Sequence, residues 1–175
     1  IMGKPMAKNL LKAGYELIVN DINQSAVAEV VAAGAKAAAS AKEVAAQCDI
    51  IITMLPNSPH VKEVVLGANG IIDGAKPGAI VVDNSSIAPL VAREVAAKLA
   101  EKGVEMLDAP VSGGEPKAID GTLSIMVGGK KDIFDKCYPI LKAMAGSVVL
   151  TGGVGAGNVT KLANQIIIDL NIDAM

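Results

Sequence analysis

Short aliphatic runs recur along the chain and alternate with longer stretches in which apolar positions return every three or four residues. The runs read as strands: Glu16-Leu-Ile-Val-Asn20, Lys36-Ala-Ala38, Asp49 to Met54, Ala79-Ile-Val-Val82, Val104 to Leu107, Leu123 to Val127 and Ser147 to Leu150. The stretches between them read as helices over Pro5–Ala13, Ser25–Ala33, Ala41–Gln47, Pro59–Leu66, Ala88–Lys102 and Asp132–Met144, with a last one starting near Asn158. Gly14 is placed to close the first of these, and Ser85 or Ser86 to cap the helix from Ala88. Strands separated by helical segments of about 10–15 residues build βαβ units, so the expected class is α/β with a doubly wound, mostly parallel sheet.

Both ends of this pattern are open. No strand precedes the first helix, and the final segment, with Ile166, Ile167, Ile168, Leu170, Ile172 and Met175, is apolar on nearly all sides. The expectation is a chain truncated at both ends. A domain over residues 1–152 would lack its first strand, and residues 153–175 would begin an interdomain helix leading to an absent helical domain or partner. The same apolar helix points to a homo-oligomer in a full-length form.

Composition narrows the picture. Of 175 residues 51% are hydrophobic, yet there is no Trp, one Phe and two Tyr, so Ala, Val, Ile and Leu must fill the interior, as suits a parallel sheet buried on both faces. The net charge is −2, with Lys and Arg scattered and no aromatic platform, which argues against nucleic acid as a partner. No apolar run approaches the roughly 20 residues of a membrane span and no signal peptide opens the chain, so a cytoplasmic, membrane-free protein is expected. Cys48 and Cys137 lie far apart without a CxxC spacing or a nearby His, which favours two reduced structural thiols over a disulfide or metal site.

Candidate chemistry collects where strands end. Gly3 opens the first helix, where a missing Cβ lets a phosphate approach the N-terminal amides. Eighteen residues later Asp21 ends a strand, the place for a carboxylate that binds ribose hydroxyls and repels a 2′-phosphate; capping the next helix is the other reading of that residue. Leu55 and Pro56 leave one strand and Ser86 follows another, at the edge where open α/β sheets bind ligands. Together these residues would make a Rossmann-like dinucleotide site for NAD, with NADP as the alternative; a strand exit at Leu55-Pro56 and a helix cap at Ser86 are the other readings of those residues. His60, the single histidine, starts a helix with no partner in sequence and reads as a surface or cofactor-rim residue.

A second group lies further on. Asp108-Ala-Pro-Val-Ser-Gly-Gly114 follows a strand and predicts a sharp turn, in which the amides of Ser112, Gly113 and Gly114 converge on a small carboxylate; a plain surface turn is the other reading. Thr151-Gly-Gly-Val-Gly-Ala-Gly157 lacks dinucleotide spacing, so its glycines are expected to bring a helix start close to a ligand. On that helix Lys161 and Asn164 share a face. Burial and the positive helix end would lower the lysine's pKa toward proton transfer, whereas a snorkelling lysine would keep its head in water.

The Asp108–Gly114 segment and Gly155-Ala-Gly-Asn-Val-Thr-Lys-Leu-Ala-Asn164 together resemble the β-hydroxyacid dehydrogenase family, over the whole chain. Ile1-Met-Gly3 resembles the end of its glycine-rich opening, and Glu115-Pro-Lys-Ala-Ile-Asp-Gly121 is most similar to the branch that reduces tartronate semialdehyde (2-hydroxy-3-oxopropionate). The resemblance implies that Lys161 is the general acid/base and that Asn164 orients a small hydroxy-acid or semialdehyde substrate. It implies that Ser112, Gly113 and Gly114 bind the substrate carboxylate, and that Gly3, Asp21, Leu55, Pro56 and Ser86 contact the cofactor. Family members often carry Asn-Asn after the lysine, where this chain has Asn164-Gln165.

Overall fold

The computed structural model describes the backbone of residues 1–173 and the side chains of residues 1–168. In chain order the elements are α1 (Gly3–Lys12), β1 (Ile18–Val19), α2 (Gln24–Ala32), β2 (Lys36–Ala37), α3 (Ala41–Gln47), β3 (Ile50–Thr53), α4 (Ser58–Leu66), α5 (Ile71–Gly74) and β4 (Ile80–Asp83). They continue with α6 (Pro89–Ala100), β5 (Glu105–Asp108), β6 (Val111–Ser112), α7 (Gly114–Asp120), β7 (Leu123–Gly128), α8 (Lys131–Lys142), β8 (Ala145–Gly152) and α9 (Ala156–Asp173). Strands β3, β4 and β5 pair in parallel, as do β7 and β8, and β7 joins the two groups by running antiparallel to β5 and β6. β1 and β2 form a separate parallel ladder. The class is the expected α/β, parallel in most of its pairings.

Helices cover both faces of the six-stranded sheet. Along β4, Ile80 and Val82 enter a cluster with Met6, Leu107, Leu123 and Phe134, while Val81 enters the opposite one with Val61, Val95 and Leu99. This period-two alternation with apolar side chains on both sides explains why the strands read as continuous aliphatic runs. Leu99 and Leu107 are fully buried, each removal from water being worth ~1.5–3 kcal/mol.

The segment after Leu107 departs from the expected sharp turn. Asp108 faces Gly128, Val111 faces Ile125 and Ser112 faces Ser124, one unbroken antiparallel register, and the Met126 N–H donates to the Pro110 carbonyl at 3.1 Å. The chain therefore stays extended through Ser112, along a line where Pro110 accepts a bond without needing an N–H to give. It turns only at Gly113 and Gly114, whose φ of 135° and 68° few other residues adopt, and enters α7. The hydrophobic pattern does not predict this helix. Pro116 fits its first turn, and Asn9 Nδ2 donates to the carbonyls of Ala118 and Ile119 at 2.7 and 3.4 Å, a long-range cap that spacing does not reveal.

The expected Ser85 or Ser86 cap is also corrected. α6 begins at Pro89 after Ala88, whose N–H donates to Ser58 Oγ at 3.1 Å. Ser85 is buried and its Oγ accepts from the Leu55 N–H at 2.8 Å, fastening the loop after β3 to the loop after β4. Beneath it Asp83 Oδ1 accepts from Thr53 Oγ1 at 2.8 Å and from the Ser85 N–H at 3.1 Å. Asp83 Oδ2 has no protein partner among the described residues. Burial pushes the Asp83 carboxyl above the usual carboxylate range, the bonds from Ser85 and Thr53 oppose this, and the nearby Asp108 adds to the rise.

At the start of α9, Gly157 leaves no room for a side chain. A Cβ there would lie 2.5 Å from the carbonyl oxygens of Asp108 and Met126. The glycine thus admits strands β5 and β7 rather than the ligand that the sequence predicts. Of α9's apolar residues Val159, Leu162, Ile166 and Ile167 are exposed, while the side chains of Leu170, Ile172 and Met175 lie outside the described residues. No helix among the described residues is long and apolar enough to cross a membrane, and Cys48 and Cys137 are both free thiols.

Two outcomes are expected. Gly157→Ala lowers unfolding free energy by roughly 1–3 kcal/mol in urea titrations, the range for overpacking a closed site. Because the folded pKa of Asp83 is raised, its contribution to stability is full below the unfolded value of 3.8 and is lost as pH rises through the folded value. Asp83→Asn removes that titration, so melting temperatures recorded from about pH 4 to about pH 7 fall less in the variant than in the parent.

Candidate active site

Thr53, Asp83 and Asp108 stand side by side in register, so β3, β4 and β5 finish along one line. Whatever leaves those strands is delivered to the same edge, where ligands bind in parallel α/β sheets. α1 begins beside it: an ideal Cβ on Gly3 would sit 3.8 Å from Met54 Cβ, and α1 has no side-chain cap on its first-turn amides. Those free amides and the bare glycine suit a phosphate. Asp21 is exposed beyond β1 and accepts from the Asn23 N–H at 2.8 Å, while Asn23 itself caps α2. The carboxylate is therefore not the cap, and its second oxygen has no hydrogen-bond partner among the described residues. Leu55 is half-buried and Pro56 exposed, held by the Ser85 bond.

Ser86 is exposed and lines a cleft of about 370 Å³ with Asn57, Ser58, Asn158, Lys161 and Leu162. The fold thus brings the lysine to the loops leaving β3 and β4. Ser112, Gly113 and Gly114 are not among this lining; they lie four to six residues past Asp108, at and just after the end of the β5–β6 line, beyond the edge marked by Thr53, Asp83 and Asp108. His60 is exposed in the first turn of α4, with its Nδ1 2.5 Å from Asn57 Oδ1. That is a surface position, outside the cleft's lining.

Lys161 is half-buried and its Nζ donates to Gln165 Oε1 at 2.9 Å, one helical turn on. Burial lowers its pKa below the usual lysine range. Held by a neutral amide, the ammonium keeps a proton that it can give to a stronger acceptor in the cleft. Asn164 is half-buried on the same helix. Gln165, the departure from the usual Asn-Asn, is the lysine's hydrogen-bond partner.

The helix carrying these residues is held by groups that residue spacing did not single out. Asp108 is fully buried and accepts from the Gly155 N–H at 2.6 Å, the Asn158 N–H at 2.9 Å and Asn158 Nδ2 at 3.2 Å. Asn158 Oδ1 accepts from the Ile87 N–H at 3.0 Å. Desolvation raises the Asp108 pKa, and the bonds from Asn158 and Gly155 oppose it. The sequence carries no clear signal for this, since a helix start near Asn158 offers its own cap; α9 instead begins at Ala156, after a glycine with no side chain, and its amides need another acceptor.

Residues 1–153 match the family described as the NAD binding domain of 6-phosphogluconate dehydrogenase. An NAD-dependent L-serine dehydrogenase of Pseudomonas aeruginosa is 48% identical over 164 residues, covering 94% of this chain and 55% of that protein. The 2-hydroxy-3-oxopropionate reductase of Escherichia coli is 44% identical over 175 residues, covering all of this chain and 60% of its own length. Human mitochondrial 3-hydroxyisobutyrate dehydrogenase is 42% identical over 171 residues, covering 98% and 51%. Among solved structures, Mycobacterium tuberculosis 3-hydroxyisobutyrate dehydrogenase with L-serine superposes with a TM-score of 0.90 at 36% identity, over 95% of this chain and 56% of that one. The chain spans between about half and three-fifths of the length of these relatives. It belongs to the β-hydroxyacid dehydrogenase family, with residues 1–153 matching an NAD-binding domain.

Proposed function

We propose that the protein reduces the aldehyde of tartronate semialdehyde to the primary alcohol of glycerate, reversibly, with Lys161 as the proton donor. The observation that carries this reading is a half-buried lysine, hydrogen-bonded to a neutral amide, in the cleft that also holds Ser86. NADH, when bound, supplies the hydride that the carbonyl carbon must gain. The protein's part is the proton: an Nζ–H bond of Lys161 breaks as the O–H bond forms, leaving a neutral amine that solvent reprotonates through the cleft. Asn164, on the same helix, orients the carbonyl. Ser112, Gly113 and Gly114 grip the substrate carboxylate from the β6–α7 turn. Gly3 and the open first turn of α1 receive the pyrophosphate, Asp21 the adenosine ribose, and Leu55, Pro56 and Ser86 flank the nicotinamide half. The exposed Val159, Leu162 and Ile166 on α9 are where a helical domain or second subunit would close the site.

The substrate choice rests on the Glu115–Gly121 continuation and on the Escherichia coli relative. A second reading, oxidation of L-serine, is favoured by the name of the Pseudomonas relative and by the L-serine in the Mycobacterium tuberculosis structure. Glycerate, 3-hydroxyisobutyrate and L-serine each place a primary alcohol next to a C2 that bears the carboxylate, and differ in the C2 substituent: hydroxyl, methyl or ammonium. A kcat/KM panel in the oxidative direction is expected to rank glycerate first. A ranking led by either of the others would replace the substrate and leave the lysine's role standing, whereas NADH binding without any turnover would reduce the chain to a nucleotide-binding module.

Lys161→Ala is expected to lower kcat by roughly 10²–10⁴-fold, with NADH affinity by calorimetry little changed. Since the donor must be protonated, kcat for reduction falls as pH rises through the lysine's lowered value, and the variant's pH profile loses that limb. Asp21→Ala is expected to cut the preference for NADH over NADPH by roughly tenfold, the equivalent of ~1.4 kcal/mol of like-charge repulsion removed.

A further inference from the structure

We infer that Asp108 and Asn158 act as a buried bridge that positions Lys161, fixing the rotation and height of α9 against the loop that carries Ser86. This rests on the reading of Lys161 as proton donor.

Three parts of the site meet on this one pair. Asp108 ends β5, on the strand line that runs on to Ser112. Its two oxygens take the Gly155 and Asn158 amides at the start of α9, and Asn158 Oδ1 takes the Ile87 N–H directly after Ser86. The bond from Asn158 Nδ2 to Asp108 Oδ2, 3.2 Å, closes the link. Asp108, Asn158 and Ile87 are all buried, so water does not compete for these bonds.

Geometry makes the link a setting device. Lys161 follows Asn158 by three residues, less than one turn, so a slip of one residue in the helix start would swing the ammonium by about 100°. A helix capped only by its own loop could tilt or slide with that loop; here the Ala156 N–H does bond the loop carbonyl of Gly153, but the acceptor for the Gly155 and Asn158 amides belongs to the sheet. Room for the carboxylate is built in. A Cβ on Gly128 would overlap Asp108 Oδ1, and one on Gly157 would lie 3.0 Å from Oδ2. Arg93 Nε adds a hold from α6 by donating to the Val154 carbonyl at 3.1 Å.

The test uses the protein as its gene encodes it, with Asn158→Ala, Asp108→Asn and the exchange Asp108→Asn/Asn158→Asp, each made with and without Lys161→Ala. Asn158→Ala leaves the bonds from Gly155 and from the residue 158 amide to Asp108 in place, so it remains informative should Asp108→Asn fail to fold. It is expected to lower kcat by about 10–10²-fold, as a displacement near 1 Å does, with the KM for NADH changed less than about twofold. In the Lys161→Ala background the same change is expected to cost several-fold less, because only Asn164 is then left on α9 to be displaced. The exchange keeps the Ile87 and Gly155 bonds and rebuilds the side-chain bond with its direction reversed, three of the four contacts, so it is expected to recover most of the lost kcat. A wild-type kcat in Asn158→Ala, a drop as large without the lysine as with it, or an exchange no better than Asp108→Asn would each overturn the positioning role. Full activity of Lys161→Ala alone would instead remove the donor assignment, a separate failure.

Discussion

A carboxylate taken wholly out of water must have its lone pairs filled, and the first turn of a helix must find acceptors for amides that have none within the helix. Asp108 and the start of α9 answer both requirements at once. Neither side is stable buried without the other. The aspartate's charge is disfavoured by desolvation, and the glycine-rich loop before α9 offers no side chain of its own to cap with. This mutual need joins the end of the sheet to the helix that holds Lys161 and Asn164, and the arrangement of the candidate site follows from it.

The rest of the fold serves to deliver that aspartate. Parallel pairing brings Thr53, Asp83 and Asp108 to one level, and aliphatic side chains on both faces keep the strands from slipping, since a one-residue shift would exchange the two cores. β7 then takes over as the organising strand, running antiparallel to the β5–β6 line and parallel to β8. Its reversal lets the chain continue beyond the common edge, so that Ser112 to Gly114 stand past the line where the loops after β3 and β4 turn away. Two sets of candidate binding groups are thereby built from one sheet, one on the edge and one beyond it.

Much of this could be read from the chain itself. The alternation of aliphatic runs with helical spacing located α3, α4, β3, β4, β7 and α8 to within a residue or two at their ends, because strands buried on both faces announce themselves as unbroken apolar runs. α7 escaped because it is short, carries a proline and is finished by Asn9, more than a hundred residues away in sequence. The continuity of β5 into β6 escaped for a related reason: Asp-Ala-Pro-Val-Ser-Gly-Gly has the composition of a turn, and only the register with β7 makes it a strand. Sequence position predicts a local task for Ser85, capping, whereas its hydroxyl serves the distant Leu55 amide. The residues expected to touch cofactor and substrate were legible as motifs. The polar residues that hold those motifs in place were not, since Asp108 and Asn158 have meaning only as a pair.

Native-state hydrogen exchange at the amides of Gly155 and Asn158 is the most direct test of this account. Amides at a helix start ordinarily exchange fast, because no carbonyl in the helix accepts them. Bonded to a buried carboxylate of the sheet, these two should instead be protected to the level of Val82 and Leu107 in the central strands. Exchange at the rate of exposed loop amides would mean that α9 is not fastened to the sheet, and the placement of Lys161 would lose its physical basis.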